Sequence, residues 1–219
     1  MGVNQIGGSP TLTYLNNGTD TIYGIQGGGG IAVHPTNNKL YVAGNSGNIG
    51  VANVAGSAVF NTSYFAFAPF SLVDVAISPD GGKLYVSGAY HDEVGIANIS
   101  PGDGLLSLNN TVSAPGTVDY GRLTLAPSGN RLYMSRYCAS AIDYMNTSGT
   151  PEIASFSIQY NGNTYGQRDI AVTDDGSIAF VRVGDSSFHT IVVLDTSSGT
   201  IIGTIELPAC EANSIVFKS

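Results

Sequence analysis

Ile31-Ala32-Val33-His34-Pro35 begins a pattern that returns along the chain and indicates the fold. Leu40-Tyr41-Val42 follows nine residues after the start of this pattern. Its first half recurs at 75–79, 123–127, 170–174 and, shortened, at 215–219, with starts 44, 48, 47 and 45 residues apart. A period of about 40–50 residues built from strand-like segments is typical of a β-propeller with one four-stranded blade per repeat.

The second half of the pattern keeps the same offset in each repeat, as Leu84-Tyr85-Val86, Leu132-Tyr133-Met134 and Ala179-Phe180-Val181. Between the halves lie short segments with Pro or Asp early and Gly or Asn late, at 35–38, 79–82, 127–130 and 174–177. Pro fixes φ, and Gly or Asn tolerates a positive φ, so these segments indicate tight turns. The sequence therefore predicts a hairpin of strands A and B in every blade.

A third pattern alternates apolar and small residues and ends on Asn or Asp, with a Gly a few residues later, at 49–53, 94–98, 142–146 and 191–195. It predicts strand C and the turn into strand D. The chain also opens with this pattern at 12–18, and 21–25 echoes 200–204.

We therefore expect a single all-β domain, a five-bladed β-propeller of four-stranded antiparallel blades. One blade would be split between residues 1–29 and 214–219, and the others would span about 30–73, 74–121, 122–168 and 169–213. Pairing of the N- and C-terminal strands would close the ring and satisfy edges that would otherwise stay open.

The repeats resemble those of the YVTN family of β-propellers, known from archaeal surface-layer and other secreted proteins. The resemblance is carried by Gly30-Ile31-Ala32-Val33-His34-Pro35, by Lys39-Leu40-Tyr41-Val42-Ala43 and by the run from Ser78 to Val86. It implies an extracellular, cell-surface or virion-surface protein. Members and relatives include surface proteins, sugar-lactone hydrolases and lyases, so the activity has to be argued from a site.

Composition narrows the classes of partner. The formal net charge is −8, and charged residues make up 11% of the 219 residues. Such a chain repels phosphate backbones, and we expect no nucleic-acid partner. No apolar run is long enough for a membrane helix, so no membrane insertion is expected. The chain contains no basic segment followed by an apolar stretch and a cleavage site, so we identify no signal sequence in it.

In a blade of antiparallel strands, the B–C loops and the D–A connections share one end. The B–C loops differ between blades, at 44–47, 89–93, 136–140 and 184–189, whereas the A–B and C–D turns are short and repetitive. Variable loops on a rigid frame are where binding usually resides. We therefore expect a protein or glycan partner on the face formed by the B–C loops and D–A connections.

One position per blade, immediately before strand A, should lie beside the central channel; its occupants are Gly30, Asp74, Arg122, Asp169 and Ser214. The charged members could hold an anionic ligand, or a cation if Arg122 swings away. The interpretation we favour is an ion-pair cluster that plugs the channel, because structural networks also bring charges together. Arg168 and Glu211 lie in the same class of connection and could extend either arrangement.

The remaining candidate metal-binding, catalytic and disulfide residues give weaker evidence for a site. His91 beside Asp92 and Glu93 could form a small metal site with a neighbouring loop, but an exposed acidic loop with an incidental histidine is favoured. The chain lacks the common catalytic, metal-binding and phosphate-binding motifs, so we predict no catalytic residue, metal or cofactor. Cys138 and Cys210 should lie on the same face, where a disulfide and two free thiols both remain open.

These observations favour an extracellular or surface-exposed interaction module over an enzyme. The alternatives are a small propeller enzyme of the lactonase or lyase type and a carbohydrate-binding lectin. The short chain and the missing motif count against the enzyme. A multivalent lectin would need the same polar and aromatic group in every B–C loop, and these loops share none. The sequence does not decide the oligomeric state.

Overall fold

The structure is a computed structural model that describes residues 29–53, 63–66, 71–89, 91–114, 119–136, 139–159, 167–184 and 189–207. These residues form sixteen strands in four antiparallel sheets of four strands each. They contain no helix, and so none that could span a membrane.

Each sheet takes its four strands in chain order, as the repeat predicts. Blade I contains β1 (Ile31–Val33), β2 (Lys39–Ala43), β3 (Asn48–Asn53) and β4 (Ser63–Ala66). Blade II contains β5 (Leu72–Ile77), β6 (Lys83–Gly88), β7 (Glu93–Ile99) and β8 (Leu106–Ser113). Blade III contains β9 (Tyr120–Leu125), β10 (Arg131–Arg136), β11 (Ala141–Asn146) and β12 (Ile153–Ser157). Blade IV contains β13 (Gln167–Val172), β14 (Ile178–Gly184), β15 (His189–Asp195) and β16 (Ile201–Glu206).

The blades follow one another through their first strands. β1 contacts β5, β5 contacts β9, and β9 contacts β13, so the A strands lie side by side while the D strands lie outermost. This arrangement is β-propeller-like and confirms an all-β fold of four-stranded antiparallel blades. The described residues comprise four blades and no closed ring. The residues predicted to form the split blade, at 1–29 and 214–219, lie outside them except for Gly29.

The core lies between successive blades, and the tyrosine of strand B accounts for much of it. Tyr41, Tyr85 and Tyr133 are each no more than 1% exposed. The hydroxyl of Tyr41 crosses to the next blade and donates to the carbonyl oxygen of Gly104 at 2.8 Å. Burial raises the pKa of Tyr41 to about 12, which keeps the hydroxyl protonated as a donor. The recurrent tyrosine thus fills the interface with its ring and joins two blades through its hydroxyl.

The A–B turns have the backbone that their residues predict. Gly81, Gly129 and Gly176 each have φ of 73°, and Asn38 takes φ of 54° in blade I. The turn of blade II also receives a side chain from blade I. The Nδ1 atom of His34 accepts bonds from the backbone amides of Thr36 and Asn37, so its Nε2–H donates to the Gly81 carbonyl oxygen at 2.9 Å. His34 thus bridges blades I and II.

Two turn glycines provide a matched test of this packing. Gly81 and Gly176 share the same φ, but a Cβ at Gly81 would lie 2.4 Å from His34 Cε1. A Cβ at Gly176 would meet no atom of the described residues within 4 Å. We expect Gly176→Ala to lower the free energy of unfolding by about 1–2 kcal/mol, the penalty for a left-handed alanine. Gly81→Ala should lower it further, because the imidazole must move.

Urea denaturation of the two variants measures the difference, and His34→Ser, which copies the serine of blade II, supplies the control. The excess penalty at Gly81 should shrink in the His34→Ser background. Equal destabilisation by Gly81→Ala and Gly176→Ala would contradict the packing of His34 on this turn.

Candidate functional site

Backbone hydrogen bonds place the B–C loops beside the D–A connections. Gly44, in the first B–C loop, accepts a bond from the amide of Leu72, and Ala89, in the second, donates to the carbonyl oxygen of Ser71. The amide of Gly30 donates to the carbonyl oxygen of Val73 at 2.6 Å. We call this end of the blades the loop face. The opposite end, which carries the A–B and C–D turns, is the turn face.

A β-bulge precedes or contains the predicted channel position in blades II to IV. The strand register shifts between Leu72 and Asp74 and between Gln167 and Asp169, and it also shifts in blade III opposite Met134 and Arg136. A bulge adds one unpaired residue and re-aims the side chains that follow it. The bulges therefore set the direction of the side chains that begin each inner strand.

Asp74 is buried, at 7% exposure, and both of its carboxylate oxygens accept backbone bonds. Oδ1 accepts from the amide of Val75 at 3.0 Å, and Oδ2 accepts from the amide of Leu123, in blade III, at 2.9 Å. Burial raises the pKa of Asp74, and the two amide bonds and Arg122 offset part of this rise. Asp74 thus links blade II to blade III through the main chain.

Gly30 occupies the same position in blade I because no larger residue fits beside Asp74. A Cβ at Gly30 would lie 1.5 Å from Asp74 Oδ1 and 2.9 Å from Asp74 Cα. The backbone of blade I therefore packs directly against this carboxylate, and the amide of Gly30 bonds to the neighbouring carbonyl oxygen.

Arg122 is placed differently from the buried partner that the ion-pair interpretation expects. Its side chain is 51% exposed, and its Nη1 atom lies 3.9 Å from Asp74 Oδ1, at the outer limit of an ion pair. Both carboxylate oxygens of Asp74 already accept backbone bonds, and the guanidinium adds a longer-range attraction to them. Arg122 instead borders an open cleft of about 320 Å³ on the loop face.

This cleft joins blades I, II and III. Its walls are Gly29 and Asn45 from blade I, Ser71, Leu72, Val73 and Ala89 from blade II, and Arg122 from blade III. The hydroxyl of Ser71 donates to Asn45 Oδ1 at 3.2 Å, which holds the two loops together at the rim. The cleft offers one cation among neutral polar groups, an arrangement suited to a carboxylate or another anionic group.

The remaining predicted ring residues fall partly within the described residues. Asp169 repeats the local geometry of Asp74, because its Oδ1 accepts from the amide of Ile170 at 3.0 Å. Its charge contributes to the raised pKa of Asp74, so the two carboxylates lie within electrostatic reach of each other. Arg168 lies in β13. Glu211, Ser214, Cys138 and Cys210 lie outside the described residues.

The acidic loop of blade II lies on the loop face near blade III. Glu93 Oε1 accepts from the hydroxyl of Ser113 at 3.4 Å, and the carbonyl oxygen of Asp92 accepts from the amide of Ala114. His91 precedes both and has a partner of its own. Within the part of the chain that the structure describes, no three His, Cys, Asp or Glu side chains group as metal ligands.

A buried polar cluster in blade III was not foreseen. Asp143 is fully buried and receives bonds from Arg136, Tyr120 and Ser155. Nε and Nη2 of Arg136 approach its carboxylate at 2.6–2.9 Å, and the Tyr120 hydroxyl donates to Oδ2 at 2.7 Å. Burial and the adjacent carboxylate raise the pKa of Tyr120, which keeps its donor proton. The cluster anchors both ends of the third B–C loop.

A signal for this cluster was present in the repeat. The position of Asp143 in the third pattern is occupied elsewhere by Gly50, Gly95 and Val192. A carboxylate at a position that is otherwise small or apolar indicates a local partner of opposite charge. Arg136, which ends strand B of the same blade, was the nearest candidate.

Comparisons with known proteins support the fold. The chain is similar to hydrazine synthase from Kuenenia stuttgartiensis, with a TM-score of 0.68 and 19% identity over 89% of this chain and 53% of that one. It is also similar to a functionally unknown protein from Desulfotomaculum acetoxidans, with a TM-score of 0.68 and 17% identity over 84% of this chain and 57% of that one. The chain thus spans little more than half of these structures, and identities this low show the fold alone. No protein-family model and no curated protein matches the sequence.

Proposed function

We propose that this protein is an interaction module, extracellular or exposed on a cell or virion surface, that holds a protein, glycan or other ligand against its loop face. The observation that carries the proposal is the loop-face cleft with the half-exposed Arg122 at its edge. The low density of charged residues and the resemblance to YVTN repeats support the surface setting.

Arg122 is suited to binding because its side chain is half-exposed and approaches Asp74 only at 3.9 Å. Asp74 already accepts two backbone bonds, and the guanidinium makes no side-chain hydrogen bond shorter than its 3.9 Å approach to Asp74 within the described residues. A guanidinium with free donors recognises planar anions in a bidentate manner. The group of the partner that enters the cleft is therefore a carboxylate or a similar anion.

The frame of this module is proposed to be a ring of five blades related to YVTN repeats. Ile31 and Val33 in strand A of blade I are 52% and 61% exposed, whereas their repeat equivalents in blade IV, Ile170 and Val172, are 2% and 6% exposed. In the other blades this side of strand A packs on the preceding blade. Residues 12–25 and 215–219 carry the repeat pattern of a further blade, which would cover this apolar side.

A ligand screen by native mass spectrometry tests the proposed function. The wild-type protein is screened with carboxylate metabolites and with acidic and neutral glycans, and each ligand found is retested on Arg122→Gln. Lys39→Gln is the matched control, because it removes one positive charge from the turn face. We expect at least one ligand whose affinity falls about tenfold or more in Arg122→Gln and is unchanged in Lys39→Gln.

Ligands that bind equally well to all three proteins would place binding outside the loop-face cleft and contradict the proposal. A complete absence of binding in the screen would contradict its small-ligand form. Cross-linking from a photoreactive group placed at Asn45, on the rim of the cleft, would then decide whether a protein occupies the same face.

A further inference from the structure

The interface between blades II and III differs from its neighbours on the turn face. In three blades a cation precedes the leucine of strand B: Lys39, Lys83 and Arg131. Arg131 reaches into blade IV, where its Nη1 donates to the Thr196 carbonyl oxygen at 2.8 Å. The Lys39 side chain lies on Gly104 in blade II, close enough to Asp103 to help lower the pKa of that carboxyl.

Lys83 has no such partner in blade III. The C–D turn that it faces, residues 146–150, contains Asn, Thr, Ser and Gly but no carboxylate. Among the described residues no side chain or carbonyl forms a hydrogen bond or an ion pair with the Lys83 ammonium. The charge of Lys83 instead acts within its own blade, where it helps to lower the pKa of Asp80. Within the described residues, the cation is therefore paired across the other two interfaces and not across this one.

The second difference lies in the residue that ends strand A. In blade I it is His34, whose imidazole fills the space against the turn of blade II and bonds to Gly81. In blade II the equivalent residue is Ser78, whose small side chain turns back to its own turn, donating to Asp80 and accepting from the amide of Lys83. In the next interface the Pro79 ring takes part of this space, since a Cβ at Gly129 would lie 2.6 Å from Pro79 Cδ. The part beside Ser78 stays open.

An open cleft of about 250 Å³ results on the turn face between blades II and III. It is smaller than the roughly 300–1,000 Å³ of sites for drug-sized ligands, and so suits a molecule of one ring. Its polar lining comes from Ser78, Asp80, Lys83, Tyr85, Ser128 and Thr147.

The chemistry of this lining is that of a polyol site. Lys83 supplies a donor and Asp80 a carboxylate acceptor, and the two charges cancel. Bonds from the Ser78 hydroxyl and the Gly82 amide lower the pKa of Asp80, so it is ionised near neutral pH. These bonds use Asp80 Oδ1, which leaves Oδ2 as an acceptor. The hydroxyls of Tyr85, Ser128 and Thr147 line the remaining walls.

We propose that the turn-face cleft between blades II and III is a second binding site, which takes one ring of a neutral sugar or a polyol of similar size. Adjacent hydroxyls of the sugar bridge Lys83 Nζ and Asp80 Oδ2, and Pro79 contributes an apolar wall. This site lies on the opposite end of the blades from Arg122 and does not depend on the function proposed for the loop face.

Titrations followed by ¹⁵N–¹H NMR test the site. The probes are the methyl glycosides of glucose, galactose, mannose and N-acetylglucosamine at millimolar concentration, the range expected for one sugar ring in a small open site. We expect at least one probe to give saturable shifts at the amides of Gly82, Gly129 and Thr147. Lys83→Met should weaken this binding about tenfold or more, because a bond to a charged group is lost.

Two further variants separate binding from folding. Ser78→His copies the residue of blade I, should fill the cleft and should abolish the shifts while the rest of the spectrum stays native. Lys39→Met, at the equivalent position of the filled interface, should leave the affinity unchanged.

The site would be overturned if none of the four glycosides gave saturable shifts, or if Lys83→Met and Ser78→His bound like the wild type. Shifts produced by glucuronate and by none of the neutral glycosides would also overturn it, because the cleft would then select a negative charge.

Discussion

Deleting residues 215–219 should lower the free energy of unfolding by about 5 kcal/mol or more and leave little native protein at 37 °C. The segment Ile215-Val216-Phe217-Lys218-Ser219 repeats the pattern of strand A. In the proposed five-bladed ring it supplies the inner strand of the split blade. Its removal would expose three apolar side chains, each worth about 1.5–3 kcal/mol when buried, and would open the edge of the strand beside it.

Thermal and urea denaturation followed by circular dichroism measure this effect, and two variants locate its cause. Deleting Lys218 and Ser219 alone should change the melting temperature little, because both positions follow the apolar part of the strand. Phe217→Ser should reproduce much of the loss, since its repeat equivalent in blade IV, Val172, is 6% exposed. A five-residue truncation that melts like the full chain would refute closure of the ring by the two ends.

The hairpins were predictable from the sequence because their determinants are local. Turn residues that fix or free φ, and an alternation with a period of two residues, act within a dozen positions and recur four times. The tyrosine of strand B was recognisable because it recurs at one position of the repeat. Its hydrogen bond between blades could not be predicted, because the Tyr41 hydroxyl bonds to Gly104, a partner 63 residues away.

The residues predicted beside the channel show what the sequence did not reveal, which is the partner of each charged side chain. The repeat brought Asp74 and Arg122 to equivalent positions, and the structure places them 3.9 Å apart. Opposite charges in one ring favoured an ion-pair cluster. The sequence did not show that the backbone amide of Leu123 also donates to Asp74 across the blade interface, beside a register shift at the start of strand A. Every residue except proline carries a backbone donor, so the side-chain pattern does not indicate which amide will bind the carboxylate.

The cluster of Asp143 and Arg136 was also not predicted, although the sequence contained an indication of it. Asp143 breaks the repeat, whereas Asp74 sits at a position where a charge recurs. A departure from an internal repeat therefore carries more information here than the repeated residue does. His34 is a departure of the same kind, because the other repeats have Ser78, Ala126 and Thr173 at this position, and the small Ser78 leaves room for the turn-face cleft.

Asp74→Ala should destabilise the protein far more than Arg122→Ala, which reverses the expectation that Arg122 compensates a buried acid. Asp74→Ala removes the acceptor of two backbone amides, Val75 and Leu123, in a buried setting. An unsatisfied buried amide costs about 1–3 kcal/mol, so we expect a loss of about 2–4 kcal/mol. Arg122→Ala removes a side chain that is 51% exposed and should cost less than about 1 kcal/mol.

Urea denaturation of the two single variants and of the double variant measures both effects and their coupling. Asp74→Asn serves as the isosteric variant and should fall between the wild type and Asp74→Ala, because the amide of its side chain offers one acceptor oxygen for two donors. The double variant should match Asp74→Ala closely, since a long ion pair with one half-exposed partner contributes little coupling. If Arg122→Ala alone cost about 3–5 kcal/mol, Arg122 would be the partner of a buried ion pair, and the backbone account of Asp74 would be wrong.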